Sequence, residues 1–288
     1  MSSVACVGGG HGLAATLRAV RPWADDVTAI VSVADDGGSS GRLRDDLGLL
    51  PPGDLRRCLS ALADPTSPLG AALEHRFDGG ELKGHPLGNL LIAGLVDHGL
   101  SVEDALGEVG RLVGAEGRVL PAATVPVTLS GERGSLPSVQ GQVRVQGASG
   151  LHRVAVTPAD APTPGAVGRA LAAADLVVLG PGSLFTSVLA AAVVPGVAEP
   201  LRATDATRVL VLNLGAQVGE TEGLAPADHV RLALAHDVPV DVVLADPRFA
   251  PDATPEGVAL VVAEVGSDRV PVHDPDRLGA ALRDLVGR

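Results

Sequence analysis

The sequence predicts an α/β fold, a doubly wound and mostly parallel sheet with a small antiparallel insert. Three observations carry that expectation. Short apolar runs recur at residues 4–7, 27–33, 175–180, 208–214 and 238–245, without the alternation of a half-solvated strand. Segments of helical pattern separate most of them, as βαβ units require. Only the middle of the chain alternates with period two.

The elements follow in order. Residues 4–7 form a buried strand, and 13–20, rich in Ala and Leu, a helix. Residues 27–33 are a second strand of β-branched character. Asp54 is suited to cap a helix through Leu62, after the turn Pro51-Pro52-Gly53. Asn89 is suited to cap residues 90–98, which stop at Gly99. Ser101 and Asp104 have capping-box spacing for a helix ending near Gly114. "TVPVTLSG", "SVQGQVRVQG" and "LHRVAVTP" are expected as short strands of the insert. Thr163-Pro164 opens a further helix, since proline suits the first helical position. "DLVVLG" is a buried strand, followed by the helix "SLFTSVLAAAVV". "RVLVLNL" and "VPVDVVLA" are strands around the helix "PADHVRLALAH", and a last helix runs from Asp276. No linker or repeat divides the chain, so residues 1–288 are expected to form one domain.

Composition narrows the function. The chain has 288 residues, 46% hydrophobic but only 1% aromatic, so its core must be built of Val, Leu and Ala. A net charge of −12 argues against a general nucleic-acid surface. Basic residues concentrate locally, with Arg42, Arg44, Arg56 and Arg57 flanking a Gly/Ser-rich loop. No apolar run reaches the roughly 18 residues of a membrane span. The N-terminus opens directly into a strand, so a cytoplasmic protein is expected. Cys6 and Cys58 are too few for a disulfide framework, and the histidines lack metal-ligand spacing.

Chemistry concentrates at strand ends. "GGGHG" (Gly8, Gly9, Gly10, His11, Gly12) joins the first strand to the first helix. It is not a dinucleotide fingerprint, because Leu13 stands where the third glycine belongs, and it has no G-K-[ST] of a Walker loop. A glycine turn opening on a helix N-terminus still suits a phosphate, against the alternative of a plain turn. After the second strand come Asp35 and Asp36, then Gly37-Gly38-Ser39-Ser40-Gly41-Arg42. The acids could hold a ribose, a base or a divalent ion; the serines and Arg42 could hold phosphate. "GHPLGN" is explained by a turn and a capping asparagine. Gly180-Pro181-Gly182-Ser183 repeats the strand–turn–helix logic, so a diphosphate could bridge the two turns. Ser183 does not sit in a nucleophile elbow, since "GPGSLF" is not G-x-S-x-G. Asn213, Gln217 and Glu220 offer polar groups for a base, sugar or acceptor.

"GGGHGL", "VSVADDGGSSGRLR", "PPGDLRR", "GHPLGNLLIAGL", "RVLPAATVPVTL", "GPGSLFTSVLAAAVVPG" and "NLGAQVGETEG" together resemble, in order, the motifs of the gluconeogenesis factor family (YvcK, CofD-like). The resemblance implies a Rossmann-like, three-layer α/β/α domain, cytoplasmic and homodimeric. It further implies binding of nucleotide sugars such as UDP-glucose and UDP-N-acetylglucosamine. The implied role lies in cell shape and wall synthesis on gluconeogenic carbon, with regulatory protein partners. The related CofD branch implies an enzymatic alternative: transfer of phospholactyl from a nucleotide diphosphate donor to a deazaflavin riboside, with Mg2+. An NAD-linked oxidoreductase is a more distant alternative. By the same resemblance, Gly8, Gly9, Gly10 and Gly12 lie along the phosphates. Asp35 and Asp36 are the acidic pair, the candidate catalytic and Mg2+-holding residues. Asn89 faces the crevice, Gly182 with Ser183 forms a second phosphate loop, and Asn213 marks a third strand end. His11 replaces the family's usual threonine, and "GGSSGRLR" points to the YvcK branch rather than to deazaflavin binding.

Overall fold

The computed structural model describes residues 2–286. Among them, seven strands pair in parallel: β1 (Ser3–Gly8), β2 (Asp26–Val31), β3 (Arg118–Pro121), β7 (Leu176–Leu179), β8 (Thr207–Val211), β9 (Val242–Ala245) and β10 (Ala259–Val262). A separate antiparallel sheet holds β4 (Thr128–Arg133), β5 (Leu136–Gln140) and β6 (Arg153–Thr157). The large sheet runs β3-β2-β1-β7-β8-β9-β10, so the chain reverses direction across the sheet between β1 and β7. Cys6 in β1 lies beside Ala29 of β2 and Val178 of β7. In sheets of this kind ligands bind outside the carboxyl ends of the strands at that reversal.

Side-chain patterns explain the two sheets. β7 is buried at every position, as a strand covered by helices on both faces must be. β6 alternates exposed and buried residues, the mark of a strand with one wet face. The expected insert is therefore present, and the main sheet is the expected doubly wound one.

The helices are α1 (Gly10–Val20), α2 (Gly38–Leu47), α3 (Gly53–Leu62), α4 (Pro68–Ala72), α5 (Leu87–Asp97), α6 (Val102–Val113), α7 (Gln142–Gln146) and α8 (Gly165–Ala173). A π-helical stretch, Leu184–Leu189, runs on into α9 (Ala190–Ala192), and α10 (Pro195–Ala203), α11 (Pro226–Ala235) and α12 (Pro275–Arg283) complete the set. α1, α3 and α12 pack together, and α8 packs on α10. α12 meets α1 almost backbone to backbone: a β-carbon on Gly279 would lie 2.4 Å from the Ala19 carbonyl oxygen. No single described helix is long and apolar enough to cross a membrane; a bent pair, Leu184–Ala192 with Pro195–Ala203, passes only on length and composition.

Several expectations need correction. "SVQGQVRVQG" is not one strand: β5 ends at Gln140, Gly141 takes φ 94°, and the next residues wind into α7. The alternating valines suggested a strand, but the Asp36 carboxylate captures the Gln142 and Val143 amides and fixes a helical turn. Asp54 lies in the first turn of α3 after Pro52, and its side chain serves α1 instead of capping α3. α5 starts at Leu87 behind Pro86, two residues before Asn89, whose amide is drawn to Ser39. The Gly/Ser-rich segment expected as a loop winds into α2, closed by the left-handed Gly48. Ser101 does cap α6, which ends at Gly114 as expected.

Candidate functional site

A cavity of about 500 Å3 opens at the carboxyl ends of β1 and β7, where the strand order reverses. Gly9, Gly10, His11 and Gly12 line its floor, with Asp35, Gly37, Gly38, Ser39 and Ser40 to one side. Gly182 and Ser183 border the other side, and Asn89 closes the back with Arg56, Arg57 and Arg76. Most of the site expected from sequence is thus brought together.

Helix ends dominate its electrostatics. The first amides of a helix have no partner within it, and the helix dipole makes that end positive. α1, α2 and α3 all begin at this cavity. In α1 the Gly10 amide donates to Asp54 Oδ2 at 2.8 Å, and the first helical bond is Leu13 N–H to the Gly9 carbonyl. The His11 and Gly12 amides make no hydrogen bond among the described residues, nor do those of Gly38, Ser39 and Ser40 at the start of α2. Arg57 adds a cation, held 2.6 Å from Asp54 Oδ1. Arg56 is buried, 2% exposed, and pairs with Glu74 at 2.9 Å. The Arg76 guanidinium donates to the Gly84 carbonyl. In a chain of net charge −12, three arginines and three helix N-termini meet here, offset by Asp35, Asp54 and Glu74.

Asp54 balances those cations. Burial pushes its carboxyl up, and Arg57, with the Gly10 amide, pulls it back toward ionisation. Desolvation lowers the His11 imidazole, and the neighbouring Arg57 guanidinium lowers it further, so the ring is neutral near pH 7. His11 borders the cavity as an uncharged donor or acceptor. Behind the floor, Asn89 Nδ2 donates to Ser39 Oγ at 3.0 Å, and Ser39 Oγ lies 2.9 Å from His85 Nδ1. Asn89 therefore positions Ser39 between α2 and α5. Ser40 Oγ accepts the Gly53 amide at 3.1 Å and ties α2 to α3.

Other expected residues lie elsewhere. Gly8 is the last residue of β1, beneath the cavity. Arg42 is turned outward and donates to the Lys83 carbonyl at 3.1 Å. Asp36 spends both carboxylate oxygens on α7, accepting from the Gln142 amide at 2.9 Å and the Val143 amide at 3.0 Å. Asn213 acts one layer out: its Oδ1 accepts the Gly182 amide at 2.9 Å, and its Nδ2 donates to the Gly182 carbonyl at 2.8 Å.

The second turn differs from the first in degree: at the first, Asp54 takes only the Gly10 amide. Glu220, 2% exposed, puts its carboxylate against the start of the π-helical stretch. Thr186 Oγ1 donates to Glu220 Oε2 at 3.1 Å, and the Ser183 hydroxyl and the Leu184 and Thr186 amides support the ionised form. A protein carboxylate already stands where a phosphate would meet that helix. Ser183 reaches the cavity, and Gln217 Nε2 donates to its hydroxyl at 3.3 Å. Burial raises the Glu220 carboxyl from 4.5 to about 6. A raised acid disfavours the folded state wherever it is ionised, so the cost is absent below pH 4.5 and complete above about pH 6. Glu220→Gln is accordingly expected to gain about 2 kcal/mol over the native protein near neutral pH and nothing in acid. Urea unfolding of both proteins at the two pH values checks this; equal stability at neutral pH would refute it.

Sequence reasoning named Arg56 and Arg57 only as a basic cluster, and missed Asp54, Arg76, Ser187, Gln142 and Gln146 as cavity residues. The one available signal was "PPGDLRR", whose acid and arginines sit on a helix start. Leu13, at the missing glycine position, is fully buried in the core, so the α1 turn is not a displaced dinucleotide fingerprint.

Comparisons with known proteins agree with this fold. Residues 4–266 match the family model described as 2-phospho-L-lactate transferase CofD. The chain is 43% identical to a Mycobacterium tuberculosis (strain CDC 1551 / Oshkosh) protein of gluconeogenesis-factor name, over 99% of this chain and 90% of the relative. It is 39% identical to the gluconeogenesis factor of Halalkalibacterium halodurans, over 81% of this chain and 73% of that one. A crystal structure of a UPF0052-family protein from Bacillus halodurans superposes with a TM-score of 0.91 at 34% identity, covering 98% of each chain.

Proposed function

The chain belongs to the CofD family, among the proteins that carry the gluconeogenesis-factor name, and on that footing we propose that its cavity binds a nucleotide sugar of the UDP type. The observation that carries this reading is the convergence of three helix N-termini with Arg57 on one cavity. The diphosphate lies over the His11 and Gly12 amides and the start of α2, flanked by Arg57. Ser39 and Ser183 are the hydroxyls nearest its ends. Ligand occupancy then reports the state of wall precursors to protein partners, in a cytoplasmic homodimer concerned with cell shape on gluconeogenic carbon.

Calorimetry tests it. UDP-glucose or UDP-N-acetylglucosamine is expected to bind in the millimolar range or tighter, and Arg57→Ala to weaken that binding about tenfold, the worth of one charge-assisted contact. Absence of such binding to any nucleotide sugar would sink the proposal.

The transferase description of the family model keeps a second reading in play, phospholactyl transfer to a deazaflavin riboside. Among the described residues no three His, Cys, Asp or Glu side chains cluster as a metal site. Mg2+ commonly takes only one or two carboxylates plus substrate phosphates. Asp35 fits that role: it lines the cavity, and Oδ1 accepts only the Gly37 amide at 3.0 Å. Bound there, the ion would neutralise phosphate charge. Asp36 is committed to α7 and does not join Asp35.

A further inference from the structure

One wall of the cavity is made by α7, which presents Gln142, Val143 and Gln146. Residues four apart on a helix are neighbours on one face. Gln142 Nε2 points to Gln146 Oε1 at 3.4 Å. That contact uses one end of each carboxamide and leaves Gln142 Oε1 as an acceptor beside Gln146 Nε2 as a donor. Val143, 53% exposed, supplies an apolar surface beside them. This wall carries hydrogen-bonding groups and a methyl surface but no charge, unlike the floor.

The pair is held from both sides of the crevice. Asp36, just beyond β2, clamps the first amides of α7 at 2.9 and 3.0 Å. Beyond β8, Gly219 packs so closely that a β-carbon there would lie 2.5 Å from the Gln146 carbonyl oxygen. An acceptor and a donor on one wall complement a planar group that offers N–H next to C=O, as an imide edge does. A charged group, all donor or all acceptor, leaves one of the two unmatched, and a hydroxyl meets both but without the fixed spacing of an imide edge.

We propose that the Gln142–Gln146 face of α7 is the specificity wall of the cavity and reads a planar amide-type group of the ligand, with Asp36 as its positioning residue. The proposal rests on the nucleotide-sugar reading above. Such a ligand carries that side-by-side pair at the imide edge of its base; the acetamido group of an N-acetylated sugar is a trans amide and turns its N–H and C=O to opposite sides.

Gln142→Met and Gln146→Met remove the polar ends while keeping length and neutrality, so attraction for phosphate is unchanged. Each variant is titrated calorimetrically with UDP, UDP-glucose and UDP-N-acetylglucosamine. Loss of about tenfold in affinity for all three assigns the wall to the base. The same loss for UDP-N-acetylglucosamine alone would place the wall on the sugar and overturn the assignment to an imide edge. Affinities within about twofold of the native protein for every ligand overturn the proposal. If the native protein binds none of the three, the nucleotide-sugar reading fails first and takes this inference with it. Asp36→Asn serves as the positioning control: it is expected to speed hydrogen exchange at the Gln142 and Val143 amides and to weaken the same ligands that the methionine variants weaken. Unchanged exchange there would remove Asp36 from the proposal.

Discussion

Substituting alanine for Gly12 is expected to cost about 3 kcal/mol of stability and to remove ligand binding. A β-carbon there would lie 2.1 Å from the Pro181 carbonyl oxygen and 2.9 Å from the Gly182 Cα. Both are backbone atoms, so no rotamer change relieves the overlap. The loop they belong to cannot drift away easily. Asn213 grips Gly182 from behind, and Thr16 Oγ1 in α1 donates to the Gly180 carbonyl at 2.8 Å. Either α1 tilts or the two turns part, and both movements carry the His11 and Gly12 amides off the cavity floor. Urea unfolding reads the stability loss, and calorimetry with UDP-glucose reads the binding. A variant as stable as the native protein would show that the two turns do not touch.

Gly10→Val fails for the opposite reason. A β-carbon at Gly10 meets nothing within 4 Å, because it points into open space above the floor. Binding is expected to fall about a hundredfold, since the branched side chain occupies the ground of the phosphate. The backbone there has φ 65°, so valine also brings strain of about 2 kcal/mol. Gly10→Ala separates the two effects: it shares the left-handed strain but intrudes less, so affinity should lie between valine and glycine. A folded Gly10→Val protein with undiminished affinity would move the phosphate away from α1.

These neighbouring glycines show what a sequence can and cannot disclose. The strands were readable because a parallel sheet covered on both faces needs unbroken apolar runs, and Val4, Val7, Val177 and Val178 supply them. α2 was unreadable because Gly38-Ser39-Ser40-Gly41 has no apolar period; its helix is secured by Ser40 on the Gly53 amide and Asn89 on Ser39. α7 was misread because its valines favour a strand, and the deciding contact comes from Asp36, 106 positions away from Gln142. The glycine turns were legible in the candidate site because they are local. The arginines and Asp54 were not, since nothing local shows that the start of α3 faces the start of α1. Asn89 was picked out for capping a helix, yet it stands within the first turn of α5 and holds Ser39.

The double attachment of α7 bears on how the cavity wall keeps its shape. A helix of five residues has too few internal hydrogen bonds to persist by itself, so its shape depends on Asp36 at the first amides and on Gly219 against the last carbonyl. One side of the cavity thus owes its form to a contact between residues 106 positions apart.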